Sequence, residues 1–287
     1  MTKTMKYPDI YRFKADQDGA ALLIFGAIHG NEVCGTKALL RLKNEIETGE
    51  LILKSGQLIF VPICNPQAYE EQTRDIDVNL NRIFYHHDTP TLYEHFIANH
   101  LVPLINEADI LLDIHSYTSD NKPFAIQKYD SKEHDRLTSA VPLTYVLKDW
   151  LDLYKDRDDK NAHTTNVEAN SKGVAAITVE CGLHDSESSV DVAYTVIRSV
   201  LAEYGIIDGA IEKKTQKLVS FKQVFFFEEG AKYTKPYKHL DCVEKDELIA
   251  IYPSGQEVHA KSEGYILLPN MGYYDGAEWF YLGKDRV

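Results

Sequence analysis

Four short, near-continuous apolar runs, separated by stretches of helical period, most constrain what this chain can fold into. The runs cover residues 21–27, 58–63, 110–114 and 175–179. Strands that are apolar at every position are buried on both faces, which requires layers above and below a sheet. Helix-period segments over 33–47, 91–105, 143–154 and 188–204 supply those layers. In the first of them Ala38, Leu39, Leu42 and Ile46 share one face, and Gly49 is a plausible stop. The alternation predicts an α/β fold: an open, mostly parallel mixed sheet with helices on both faces. Ligands of such sheets bind beyond the carboxyl ends of the strands.

Past residue 210 the pattern changes. Apolar runs at 224–227, 248–251, 265–268 and 279–282 are separated by Glu229-Gly230, Ser254-Gly255, Glu263-Gly264 and Asp275-Gly276. Strand-length runs with glycine turns and no helical period predict a small C-terminal β-barrel or sandwich. The expected division is a large α/β domain over 1–210 and an all-β domain over 218–287, with the boundary in 210–217. The run Phe225-Phe226-Phe227 is expected to pack between the two.

With 31 basic and 44 acidic residues the net charge is −13. Nucleic acid and anionic membrane both call for basic stripes, so this balance disfavours them as partners. No apolar run approaches the roughly 20 residues of a membrane span, and Met1 to Asp18 has no signal-like apolar core. Cys34, Cys64, Cys181 and Cys242 are widely spaced, as expected of reduced, mostly buried thiols in a cytoplasmic protein.

Polar clusters terminate the apolar runs. His29 and Glu32, in Gly26-Ala27-Ile28-His29-Gly30-Asn31-Glu32, follow the first run at a strand-to-helix turn. An imidazole and a carboxylate presented together there suit half of a zinc site. Asp113-Ile114-His115-Ser116 closes the third run, so His115 could join them as a third ligand. Asp113, two residues earlier and on the same face, would orient it. Glu180 ends the fourth run, where a carboxylate beside a metal-bound water can accept and return a proton. Arg74 lies in Thr73–Phe84 with Asn81 and Arg82, a segment able to donate to an oxyanion and to fork a substrate carboxylate. His86-His87 is expected to be a surface pair and His163 a loop residue. Tyr273 or Tyr274 could lean over a pocket mouth.

These segments, in this order and at these separations, resemble the succinylglutamate desuccinylase/aspartoacylase family of the zinc carboxypeptidase-like group. The resemblance covers about residues 20–185, and more loosely the β-rich tail. It implies that His29, Glu32 and His115 bind one Zn2+ per chain, that Glu180 is general base and acid, and that Arg74 stabilises the oxyanion. It also implies that Asn81 and Arg82 grip a substrate carboxylate. Two departures stand out. Asn79 replaces the family's usual Asp, and no arginine shortly precedes Glu180, which leaves Lys172 as the cation expected to meet a second substrate carboxylate.

The expected function is zinc-dependent hydrolysis of the amide bond of a small anionic N-acyl amino acid. Oligomeric state, acyl group and amino acid stay open. The alternatives are a zinc carboxypeptidase acting on a peptide or peptidoglycan stem, and a non-catalytic binding protein on the same fold.

Overall fold

The computed structural model describes residues 5–119, 122–155, 163–209, 213–269 and 274–286. Its centre is a set of parallel strands: β2 (Gln17–Gly26), β3 (Ser55–Val61), β4 (Ile110–Tyr117) and β7 (Ala175–Leu183). Each holds all or most of one of the four apolar runs. β1 (Tyr11–Lys14) covers the β3 edge antiparallel. Beyond β7 come β5 (Phe124–Gln127), antiparallel to it, and β6 (Tyr145–Lys148), parallel to β5.

Alternate residues of each strand serve opposite layers, the expected result for a sheet covered on both faces. Leu22 and Ile24 of β2 meet Ala38, Leu39 and Leu42 of α1 (Cys34–Glu47) and Val196 and Val200 of α6 (Glu187–Glu203). Leu23 and Phe25 meet Ile97, Leu101 and Ile105 of α3 (Tyr93–Ile105). Short helices α2 (Pro66–Glu71), α4 (Lys132–Ala140) and α5 (Thr165–Ser171) complete the layers.

The tail strands do not form a closed sheet among the described residues. β8 (Lys217–Phe226) pairs in parallel with β6, so the main sheet runs on through β14 (Glu278–Asp285), β13 (Gly264–Leu267) and β10 (Cys242–Val243), all antiparallel. It reaches eleven strands, ordered β1-β3-β2-β4-β7-β5-β6-β8-β14-β13-β10. β9 (Lys232–Tyr233), β11 (Leu248–Ile251) and β12 (Glu257–His259) make a separate three-stranded sheet. Part of the expected boundary, residues 210–212, lies outside the described residues.

Two expectations need correction. The segment 143–154 is not a helix but β6 followed, after Asp149 at φ 66°, by a 3-10 turn over Trp150–Tyr154. Pro142 and the β-branched Thr144 and Val146 favour extended chain, and pairing on both sides by β5 and β8 settles it. Phe225 and Phe227 do not bridge to the main layers. Phe225 stacks on Phe280 and Phe227 meets Trp279 edge-on, inside the tail's own cluster. The thiols behave as expected: Cys34, Cys64 and Cys181 are free and buried, while Cys242 is free and exposed. Among the described residues no helix is long and apolar enough to cross a membrane.

Candidate metal centre and active site

His29 and Glu32 occupy the turn between β2 and α1, at the carboxyl edge of the parallel strands. The turn is narrow. Glu32 N donates to His29 O at 3.1 Å, and Ala27 sits at φ 45°. At Gly30 a Cβ would lie 2.1 Å from the Ala68 carbonyl carbon in α2, so only glycine lets the turn seat there.

Glu32 is the hub. Its Oε1 lies 2.8 Å from His29 Nδ1 and its Oε2 2.8 Å from His115 Nδ1. Arg74 Nη1 donates to Oε1 at 2.8 Å and Ser116 N to Oε2 at 3.1 Å. The three expected ligands are 2–3% exposed, and one donor atom from each falls within 4.8 Å of the others. Burying two imidazoles and a carboxylate this close is costly without a compensating cation, and the donor set is one that suits a divalent metal. The residues therefore fit a metal ion.

The remaining ring nitrogens are held from outside. His115 Nε2 lies 2.9 Å from Asp113 Oδ2, and Thr165 Oγ1 donates to that same oxygen at 2.5 Å. His29 Nε2 lies 3.0 Å from Asn79 Oδ1, which also accepts from Asn81 N at 2.9 Å. Asn79 thus keeps the acceptor that orients His29 but carries no charge. Ring nitrogens fixed this way leave Nδ1 of each histidine for the ion. Burial, reinforced by Arg74, pushes the His29 pKa down to about 4. Burial opposes protonation of His115 as well, but Asp113 and Glu32 hold its pKa well above the usual value. Glu32 stays ionised against burial because the two histidines flank it.

Glu180 stands beside His115 in the β4–β7 register, so both side chains leave the same face of the sheet. Its Oε2 is buried with no hydrogen-bond partner among the described residues. Burial raises its pKa to about 8, with His115 opposing. An unpartnered carboxyl next to a candidate metal is poised to exchange protons.

Arg74, Asn79, Asn81 and Arg82 come from a loop with almost no regular structure. What shapes it is Glu94, on α3 and fully buried. Its Oε1 accepts from Ile76 N at 2.8 Å, and its Oε2 from Asp77 N at 3.1 Å and Val78 N at 3.2 Å. Asp77 returns a cap to α3 through Tyr93 N at 2.7 Å. Asn81 Oδ1 accepts from Thr165 N at 3.0 Å, which leaves Asn81 Nδ2 3.4 Å from His115 Nε2. His163 pairs its backbone with Arg82 and Phe84, while its ring goes to Glu168 at 2.8 Å. Arg82 Nη2 meets Glu278 Oε2 of β14 at 2.8 Å.

Lys172 is not brought into this group. It caps the end of α5, eight residues before Glu180. Its Nζ lies 3.3 Å from Glu168 Oε1. The half-buried cation that does face the site is Lys128, which follows β5; Nζ donates to Thr164 Oγ1 at 2.8 Å. Burial and Arg82 push its pKa down to about 7. Glu94, Lys128, Thr165 and Glu278 carry no motif of their own; only a charged residue at a core-facing helix position hinted at Glu94. Of the remaining candidates, His86 is exposed, His87 stacks on His95, Tyr274 is 69% exposed, and Tyr273 lies outside the described residues.

The model of the succinylglutamate desuccinylase/aspartoacylase catalytic domain matches residues 18–202. Among curated proteins, a probable aspartoacylase of Prochlorococcus marinus (strain MIT 9515) is 33% identical over 129 residues, covering 42% of this chain and 41% of that protein. The aspartoacylase of Rattus norvegicus is 32% identical over 120 residues, 37% of either chain. The chain therefore spans about two-fifths of the length of these relatives. Among solved structures, the product-bound ectoine utilization protein of Ruegeria pomeroyi superposes with a TM-score of 0.77 at 25% identity, covering 96% of this chain and 88% of that one. A succinylglutamate desuccinylase/aspartoacylase from Rhodobacter sphaeroides gives 0.75 at 18% identity, over 94% and 87%. With that family model matched over residues 18–202, well over half of its length, the chain belongs to the succinylglutamate desuccinylase/aspartoacylase family.

Proposed function

We propose that this protein is a zinc-dependent hydrolase that cleaves the amide bond of a small anionic N-acyl amino acid. The observation that carries this reading is the convergence of His29, Glu32 and His115 on one point, with Glu180 beside His115 in the sheet register. When bound, zinc lowers the pKa of a coordinated water and polarises a carbonyl. Glu180 takes the water's proton and delivers it to the leaving amine, a task suited to a carboxyl whose burial lifts its pKa. Arg74 has one donor on Glu32 and offers the others to the oxyanion. Asn81 and Arg82 receive the substrate carboxylate, Arg82 through the donors that Asn81 O and Glu278 do not use.

We also read the chain as two units, 1–210 and 218–287, because the aromatic cluster around Trp279 and Phe280 packs separately from the layers flanking the parallel strands. A compact β-barrel or sandwich arrangement of that second unit stays part of this reading.

Purified, zinc-loaded protein assayed on N-acetyl, N-succinyl, N-formyl and longer N-acyl amino acids, with short peptides as controls, tests the activity. Turnover of acyl amino acids that disappears on chelation is expected; hydrolysis confined to peptides, or a protein that takes up no zinc, rejects the reading. With the preferred substrate, Arg82→Ala should raise KM roughly 10-fold or more, the scale of a charge-assisted hydrogen bond. An unchanged KM would place the carboxylate elsewhere.

A further inference from the structure

Arg82 and Lys128 approach the same indole. Arg82 Cζ lies 5.6 Å and Lys128 Nζ 4.5 Å from the centroid of Trp150. Two cations so placed repel each other, and among the described residues no carboxylate lies within ion-pair distance of Lys128. Lys128 feels Asp113, Glu278 and Glu180 only at longer range, whereas Arg82 has a direct carboxylate partner, which comes from 196 residues further along the chain. Glu278 opens β14, Oε2 on Arg82 at 2.8 Å and Oε1 on the Tyr154 hydroxyl. Burial alone would raise its pKa, but Arg82, with hydrogen bonds from Tyr154 and Tyr281, keeps it below the usual carboxylate value.

Such a carboxylate could play either of two parts. It could be a plug that substrate must displace, or a fixed support behind the guanidinium. Glu278 sits in a sheet strand, opposite Phe226 of β8, with both oxygens occupied. A group held by its backbone and by both oxygens does not swing out. Meanwhile Arg82 Nη1 is tied to Asn81 O at 3.0 Å and Nη2 to Glu278, which orients the fork and leaves Nε and one hydrogen on each terminal nitrogen free.

We propose that Glu278 is a positioning residue for substrate binding: it holds the Arg82 fork where the carboxylate of an N-acyl amino acid is received, so the C-terminal strand completes that side of the site. This rests on the deacylase reading above. It also accounts for why a guanidinium in this pocket needs a partner before substrate arrives: an unpaired buried cation would be costly, and a mobile one would bind less well.

The test compares an N-acyl amino acid with the same compound as its carboxamide, which offers Arg82 no charge. In Glu278→Ala, KM for the acid should rise roughly 10- to 100-fold with little change in kcat, the scale of a lost charge-assisted interaction. The carboxamide should change by less than about threefold. Glu278→Gln keeps the volume and one acceptor, so it should fall between, and it carries the test if the alanine variant does not fold. Calorimetric affinity for the acid, measured in a Glu180→Gln background, removes any dependence on turnover. Equal losses on acid and carboxamide, an unchanged KM, a KM that falls because a competitor has been removed, or no measurable binding of the acid would each overturn the proposal. Binding that depends on Glu278 in a protein that hydrolyses nothing would uphold it and reject the deacylase reading instead.

Discussion

Glu180→Gln is expected to lower kcat by roughly 10²- to 10⁴-fold, the range for removing a positioned general acid–base. Glutamine matches the side chain in size, and neither carboxyl oxygen of Glu180 belongs to the group that converges on Glu32. The zinc content should therefore stay close to that of the wild type. The buried Oε2 also lacks a hydrogen-bond partner among the described residues, so the substitution breaks no visible structural contact. Loss of rate with normal metal and an unchanged thermal midpoint would separate a chemical role from a structural one. Near-normal turnover would mean that another group moves the proton.

His115→Ala should act in the opposite way, through the metal. It removes a donor from the centre and also strands Asp113, which is fully buried and relies on His115 Nε2 at 2.9 Å and Thr165 Oγ1. Breaking a buried charged pair by deleting one partner costs about 3–5 kcal/mol. Zinc per chain, measured by atomic absorption, should fall from about one to a small fraction, and the metal-free protein should unfold at lower urea. Asp113→Asn offers a graded comparison, since partners of metal-ligating histidines change affinity by about 10- to 100-fold. Full zinc occupancy in His115→Ala would remove His115 from the ligand set.

The convergence of His29, Glu32 and His115 was legible because the two histidines closely follow apolar runs and Glu32 lies three residues past His29 in the same turn. Once the runs at 21–27 and 110–114 are read as parallel neighbours, His29 and His115 must emerge at one edge. Glu180 follows by the same logic. The loop residues were legible as chemistry but not as shape. Nothing local says that Ile76, Asp77 and Val78 give their backbone donors to Glu94, because that bond depends on how α3 packs. Glu278 was invisible for the same reason: only β8, by joining β6, carries β14 to Arg82. Helical period misled at 143–154, where a four-residue strand is fixed by neighbours on both sides rather than by its own pattern. Lys172, the one cation in 164–172, ends α5 and pairs with Glu168, a contact that sequence spacing does not show.

The pairing of His115 with Glu180 across β4 and β7 has a wider meaning. The gap between the proposed ligand and the proposed proton carrier is set here by main-chain spacing, about 4.8 Å from strand to strand, and not by side chains that mutation can reshape. Sliding β7 by one position would aim Val179 or Cys181 at that spot and send the acid through to the opposite layer. The proposed reactive pair is thereby locked to the central sheet, so on this reading the surrounding connections can change substrate preference without retuning the chemistry.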